Sequence, residues 1–511
     1  MSGSDFYGRC SIFARYSKSA FSSLALNNKK GDFMVHAYKN NGYNIVLDVN
    51  SGSVHVVDDV VFDLVKVIEE KLCAKYGTAA CAEGKNEVDK AEAEELFKDV
   101  LSTTDIADNY PKEDIKEAID ELLELRASEV LYTDDVYENY VDEFQNRETV
   151  VKALCLNIAH DCNLRCKYCF ADEGEYHGRR ALMSEEVGKA ALDFLVKNSG
   201  SRRNLEVDFF GGEPLMNWEV VKKIVEYGRS IEKEAGKNFR FTITTNGTLL
   251  TDEILDYVNK EMGNIVLSID GRKEVNDFMR PRKGGQGCYD DIVPKFKKVA
   301  ESRHQLRYFV RGTFTHNNLD FSEDVKHLAD LGFKQISVEP VVAKPEDWYS
   351  LKDEDIPKLC EEYDKLAKFY LERQKEGRGF NFFHFNIDLE GGPCVAKRLS
   401  GCGSGCEYLG VTPWGDLYPC HQFVGNEDFI MGNVYDGITR NDIREMFKKS
   451  NVYSRPECEK CFARYYCSGG CAANAYNFNG DINTTYKHGC ELQRKRIECA
   501  IMIKAAMAEE G

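Results

Sequence analysis

The chain has 511 residues, 43% hydrophobic and 30% charged, a soluble globular composition too long for one ordinary domain and suggesting roughly three. Its formal net charge of −18 at pH 7 disfavours nucleic acid or an anionic membrane as partner and suits a basic peptide or a neutral small molecule. Nineteen cysteines, no secretory signal and no apolar run of bilayer-spanning length point to a reducing, cytoplasmic setting, where clustered thiols more often bind metal than form disulfides. Residues 1–32 are Ser-rich and mildly basic, superficially like an organelle presequence, and are read as a disordered or misassigned extension. Residues 33–149 are read as a separate unit. Within it, Tyr43-Asn-Ile-Val-Leu-Asp48 and Val54-His-Val-Val57, around Asn50-Ser-Gly52, predict a hairpin. Residues 60–75 and 112–126 carry a helical period, 129–133 predict a closing strand, and 78–108 are acidic without clear pattern.

Residues 150–390 alternate apolar runs with helical patterns, as a β/α barrel or half-barrel does; the predicted strands are 153–159, 205–210, 241–245, 264–269, 307–314 and 335–341. The first leads into Cys162-Asn-Leu-Arg-Cys166-Lys-Tyr-Cys169. Gaps of three and two residues let one loop wrap one metal centre, and thiolate is the ligand that iron–sulfur clusters select. Three thiols leave one iron of a four-iron cluster open to a small molecule. The alternative is a zinc knuckle or three unrelated buried cysteines. Further strands end in Gly211-Gly212-Glu213-Pro214, Thr244-Thr-Asn246-Gly247 and Ser268-Ile-Asp270-Gly271. Glycines admit close backbone approach to a ligand, and a carboxylate accepts from an ammonium group. Each polar residue taken alone is equally a strand-end cap or turn former. Arg311 and Glu339, on later strands, are weaker candidates to face cofactor or substrate, and 361–378 reads as a solvated barrel helix.

Residues 391–511 hold ten cysteines, at 394, 402, 406, 420, 458, 461, 467, 471, 490 and 499. Cys458-x2-Cys461-x5-Cys467-x3-Cys471, with Cys490 beyond and Gly415-x4-Cys420 before, is a second metal-binding pattern; two tetrahedral zinc sites are the alternative. Cys394, in Gly391-Gly-Pro-Cys394, is the remaining thiol best placed to reach an active site. Cys10, Cys73, Cys81, Cys155, Cys288, Cys360 and Cys499 read mostly as buried small hydrophobes.

The Cys162 to Cys169 loop, with Tyr168 before its last cysteine, resembles that of radical S-adenosylmethionine enzymes, and the 420–490 cysteines resemble their SPASM extension. The hairpin and helices of 33–149 resemble the winged-helix peptide-recognition domain of enzymes that modify ribosomally made peptides. Over residues 43–506 the chain looks closest to the maturases that install thioether crosslinks in SCIFF-type peptides, or ranthipeptides. That resemblance implies a partial (β/α)6 TIM-like barrel between a winged-helix-like leader-recognition domain and a SPASM domain. It implies three 4Fe–4S clusters and S-adenosylmethionine, the latter contacted by Tyr168, Gly211, Gly212, Glu213, Asn246, Ser268 and Asp270. Cys162, Cys166 and Cys169 would hold the first cluster and Cys458, Cys461, Cys467 and Cys490 an outer auxiliary one. Cys420 and Cys471 would hold an inner one with Cys402, Cys406 or both. If only one of the last pair ligates, the inner cluster keeps an open iron that can bind a substrate thiolate. The implied partners are a cysteine-rich precursor peptide bound through its leader and a reductant such as flavodoxin or ferredoxin. No general base is assigned. Other readings are C–C or C–O crosslinking or epimerisation, formylglycine formation in a sulfatase, and a non-catalytic redox protein.

Overall fold

The six apolar runs of the central segment form six parallel strands: Ala153–His160, Asn204–Gly211, Asn238–Thr245, Asn264–Ser268, Tyr308–Phe314 and Gln335–Pro340. They are hydrogen-bonded side by side in chain order. The arrangement is that of a computed structural model, which describes residues 10–14, 34–76, 89–171, 174, 176, 180–389 and 395–509. Alternation along each strand sets the two faces. In Asn204–Gly211, Leu205, Val207 and Phe209 are buried under helices, while Glu206, Asp208 and Phe210 lie on the more open lumen face. Tyr308–Phe314 repeats the pattern, with Tyr308, Val310 and Phe314 buried and Arg311 in the lumen series. Helices Glu185–Asn198 and Asp252–Glu261 begin where Ser184 and Thr251 accept from the Val187 and Ile254 amides, which satisfies otherwise orphan donors. The C-terminal segment continues the same sheet: Tyr408–Val411 pairs in parallel with Ala153–His160, and Asp416–Tyr418 pairs back antiparallel.

The N-terminal sheet is antiparallel, in the order Cys10–Ala14, Val54–Val57, Tyr43–Asp48, Val35–Asn40. The predicted hairpin is present, and Cys10–Ala14 forms an edge strand inside the stretch expected to be disordered. Both sheet faces are covered. Val35, Val46 and Val57 pack with helices Asp59–Tyr76, Lys90–Thr103 and Lys112–Ala127, whereas Ile45, Leu47 and Val54 join the main core. Two local expectations differ. Residues 90–103 are helical, within a stretch that read as unpatterned. Residues 129–133 form turns rather than a strand: Glu129 and Tyr132 have φ of 55° and 53°, and the Tyr132 hydroxyl donates to the Val65 carbonyl at 2.7 Å. Their apolar side chains are buried by packing, not by pairing.

Helix Ile356–Lys375 overlaps the predicted 361–378 helix and ends three residues short of it, and it is not merely solvated. Leu359, Tyr363, Leu366 and Ala367 are buried, and the helix packs against the C-terminal helix Lys487–Glu509. The latter also braces strand Val35–Asn40, where the Tyr38 hydroxyl donates to the Glu498 carbonyl at 3.0 Å. Among the described residues no helix is long and apolar enough to cross a membrane.

A buried polar knot joins the N- and C-terminal parts. Arg464, between Cys461 and Cys467, donates to Asn50 Oδ1 at 2.6 Å and pairs with Asp135 at 2.9 Å, both partners of that pair being 4% exposed. The Tyr453 and Tyr465 hydroxyls also donate to Asp135. Removing one partner of a buried pair strands the other charge. Arg464→Ala is therefore expected to cost about 3–5 kcal/mol, read as a lowered melting temperature, and adding Asp135→Ala to recover part of the loss.

Candidate active site

Strand Ala153–His160 delivers the chain into the three-cysteine loop, whose path is set by backbone contacts. The Arg165 and Lys167 amides donate to the Pro281 and Met279 carbonyls, each at 2.8 Å. The Gly211-Gly212-Glu213 turn packs on the loop's first residues: the Gly212 amide donates to Ala159 O at 2.7 Å and the Glu213 amide to Asp161 O at 2.9 Å. A Cβ on Gly212 would stand 2.1 Å from Asp161 O, and one on Gly211, where φ is +121°, 2.4 Å from Ala159 O. Contact between turn and loop thus requires glycine here, a need additional to the ligand approach inferred from the sequence.

Burial pushes the Cys162 thiol up to about 12 and Cys166 higher still, with neighbouring thiols adding to both. Metal binding at these sulfurs therefore releases protons. Asn246 Nδ2 stands 3.7 Å from Cys162 Sγ and the Leu164 amide donates to it at 3.4 Å, the kind of contact that tunes a cluster's potential. Among the described residues no three His, Cys, Asp or Glu converge tightly enough for a single ion. A four-iron cluster takes its thiolates on separate irons, so three cysteines on one loop with N–H donors aimed at sulfur fit it.

The residues expected to contact the cofactor gather around this loop and brace one another. Glu213 is 0% exposed; it accepts from the Leu215 amide at 3.0 Å, the Asn246 amide at 2.8 Å and Thr245 Oγ1 at 2.7 Å, tying two strand ends together. Asn246 Nδ2 donates to Asn163 Oδ1 at 2.9 Å. The Tyr168 hydroxyl lies 2.8 Å from both oxygens of Asp270, which also accepts from the Thr313 amide at 3.1 Å. Burial raises the Asp270 carboxyl to about 6 against the pull of Arg280. Ser268 is the register partner of Arg311 on the next strand. Arg280, missed in the sequence, donates to the Tyr168 hydroxyl at 2.8 Å and is the buried cation whose field opposes the rise of the Cys162 and Cys166 thiols. Its signal, Arg280-Pro281-Arg282 after the Ser268-Ile-Asp270 turn, does not say which arginine turns inward.

The C-terminal thiols fall into two groups. Burial drives the Cys467 thiol to about 12, and repulsion from Cys490, Cys458 and Cys461 adds to it, so these four lie within one another's fields. Cys420 is likewise raised by burial and then by Cys471 and Cys402. Cys406 makes a separate contact. It is buried, its thiol faces the Arg444 carbonyl at 3.6 Å, and its charged neighbours are Arg444, Arg147, Glu407 and Lys448. Cys394 lies outside the described residues; Cys155, Cys288 and Cys499 are buried, as expected of small hydrophobes. A cavity of ≈ 750 Å³ opens beside Cys169 and Phe170 and is walled by Lys344, Tyr349, Gln422 and Tyr476.

A parallel sheet whose first strand ends in a three-thiol loop, gripped by a glycine turn, is an arrangement able to hold a cluster and a small cofactor at the strand ends. Residues 156–310 match the model of the Radical SAM superfamily, so this segment of the chain is similar to that superfamily. An uncharacterized protein of Methanocaldococcus jannaschii is 28% identical over 316 residues, covering 61% of this chain and 99% of that protein. A cysteine-type anaerobic sulfatase-maturating enzyme of Clostridium perfringens is 27% identical over 340 residues, 61% of this chain and 85% of that one. The solved structure of native anSMEcpe with bound AdoMet and Cp18Cys peptide has the same fold, with a TM-score of 0.57 at 20% identity over 70% of this chain and 99% of its own.

Gly212→Ala must move a backbone carbonyl of the three-cysteine loop, so stability is expected to fall by about 1–3 kcal/mol, read from the melting temperature. Gly263→Ala, whose Cβ meets only Phe241 O at 3.6 Å, is expected to leave it unchanged. Asp270 supplies a second test. Its folded carboxyl binds a proton more tightly than the unfolded one, at about 6 against 3.8, so its stabilising contribution is full below the lower value and lost as pH rises through the higher. Asp270→Asn removes this dependence. The stability change between pH 5 and 7 is expected to shrink by roughly 1 kcal/mol, read from melting curves at the two pH values.

Proposed function

We propose that the chain is a peptide maturase that installs thioether crosslinks in a ribosomally made, cysteine-rich precursor. The observation that carries this reading is the segregation of the C-terminal thiols. Cys471 and Cys402 both raise the buried Cys420 thiol while Cys406 faces the Arg444 carbonyl, which supports an inner cluster with an iron left for a substrate thiolate. The group of Cys458, Cys461, Cys467 and Cys490 supports a closed outer cluster, and Cys162, Cys166 and Cys169 the cofactor-binding one. When bound, these clusters and S-adenosylmethionine would supply a 5′-deoxyadenosyl radical that takes a hydrogen from the peptide, and a sink for the electron left once sulfur bonds to that carbon.

The chain's own residues have separable tasks in this reading. Asn246 and the Leu164 amide tune the first thiol, while Tyr168, Asp270 and Arg280 keep the loop in one shape. Phe170, Phe210 and His421, with ring centroids 5.0–6.4 Å apart, wall off water from the lumen, which a carbon radical requires. The N-terminal unit is read as the winged-helix-like leader-binding domain, adding the leader as a strand beside Val54–Val57. Because Cys10–Ala14 pairs with that strand, a leader using this edge exchanges with it. Tethering through the leader raises the effective concentration of the reacting segment.

Formylglycine formation is the second reading, favoured by the similarity to the Clostridium perfringens sulfatase-maturating enzyme. One anaerobic experiment separates them. The protein is reconstituted with iron and sulfide, then given dithionite, S-adenosylmethionine and a cysteine-rich peptide encoded beside its gene. The expected product has lost two hydrogens per crosslink and one alkylatable thiol, and Cys166→Ala abolishes it. Loss of sulfur from a cysteine would instead mark the second reading, and no 5′-deoxyadenosine at full iron loading would remove both.

A further inference from the structure

One ion pair in the barrel lumen is both deep and accessible. Arg311 forks onto Glu339 through Nε at 3.1 Å and Nη2 at 2.9 Å, and the two side chains keep 45% and 32% exposure. Asp270 and Glu213, by contrast, are sealed at 0%. Around the pair, Ser337 Oγ donates to Glu339 at 3.3 Å, His384 Nε2 lies 3.9 Å from Glu339, and Arg496 donates to His384 Nδ1 at 2.8 Å. Since Nδ1 accepts from a guanidinium, the imidazole proton sits on Nε2 and faces Ser337 and Glu339.

The position of the pair is informative. Arg311 is the register partner of Ser268 and lies in the field of the Tyr168 and Tyr408 phenols. The charge of Glu339 acts on Cys471 of the inner thiol group and on His421, which follows Cys420. Arg311 thus stands beside the strand end expected to meet the cofactor, and the charge of Glu339 is felt at Cys471. Its charges are fixed near neutral pH. Burial would raise the Glu339 carboxyl, but Arg311, His384 and Arg496 overcome this and hold it at about 2, and burial with Arg496 keeps His384 neutral down to about 3. Neither group takes up a proton in the working range, which leaves recognition as the task the pair can perform. Of the five guanidinium N–H groups of Arg311, two are engaged by Glu339 and the others remain for an acceptor.

We propose that Arg311 binds a backbone carbonyl of the substrate peptide next to its reacting residue, with Glu339 as the positioning residue that holds the guanidinium fork in the lumen. A carbonyl suits the site because it is a neutral acceptor that every peptide offers, whereas an anion at the same place meets the Glu339 charge. The inference rests on the peptide-modifying reading above.

The test uses the reconstituted full chain with the cysteine-rich peptide encoded beside its gene and, separately, the N-terminal half of that peptide. Binding is followed by anisotropy, and modified peptide is counted per 5′-deoxyadenosine formed. The wild type is expected to bind the whole peptide at least about fivefold more tightly than the half, as a charge-assisted hydrogen bond makes possible. Arg311→Met and Glu339→Gln should bring the two dissociation constants within about twofold and lower the product per deoxyadenosine by about tenfold. Arg311→Lys, which keeps the charge and loses the fork, should fall between. Equal binding of the two peptides by the wild type, or variants that keep its preference, would overturn the inference. So would product and deoxyadenosine falling in equal proportion, since that places the pair on the cofactor. A wild-type melting curve shows which variants are folded, and Arg311→Lys is the least disruptive of the three. Failure of the thioether reading looks different: the binding preference is present but the peptide mass does not change.

Discussion

The packing of Gly211 and Gly212 against the carbonyls of Ala159 and Asp161 is the constraint on which the rest of the site depends. Two backbone segments meet with no side chain between them, and the amide of each of Gly212 and Glu213 closes onto the loop. That contact fixes where Cys162 begins and, one residue further along the turn, aims Glu213 at the ends of the next strand. Glu213 then holds Thr245 and Asn246, and Asn246 reaches back to Asn163 and the Cys162 sulfur. The circuit runs through three strand ends and returns to the loop where it started. A barrel supplies such a circuit readily because parallel strands present their C-terminal ends side by side.

Around the circuit, charge is managed by depth. Carboxylates sealed from water are held by hydrogen bonds and, at Asp270, by one buried guanidinium, which limits the cost of desolvation. Charges near the lumen are paired instead. The difference has a chemical consequence, because a sealed shell keeps out water while an accessible ion pair keeps donors open to solvent. Both arrangements come from the same period-two alternation of barrel strands, read on two faces.

What the sequence shows and what it conceals follow from the range of the interactions. The six barrel strands were legible because each is a bounded apolar run followed by a turn, and the cysteine loop because its spacing is local. The helix Lys90–Thr103 was hidden by its charge, since Ala93, Leu96 and Val100 give only a narrow buried stripe. Residues 129–133 looked like a strand because burial and β-branching resemble pairing when seen without a partner. Spacing could not say whether Cys402 or Cys406 turns toward Cys420, since the answer depends on the Arg444 carbonyl, 38 residues away. Arg280, His384 and Arg496 were out of reach for the same reason: His384 meets Arg496 across 112 residues, and nothing near either announces the other.

The knot at Arg464 has a thermodynamic corollary. Its guanidinium sits in the short stretch between Cys461 and Cys467, yet its partners Asn50 and Asp135 belong to the N-terminal part of the chain. Whatever orders that stretch also orders the docking, and linkage makes the relation reciprocal: a ligand held by those cysteines tightens the union of the two parts by the same factor as the union tightens the ligand. Anything loaded onto the thiols is therefore reported, through one side chain, at the opposite end of the polypeptide.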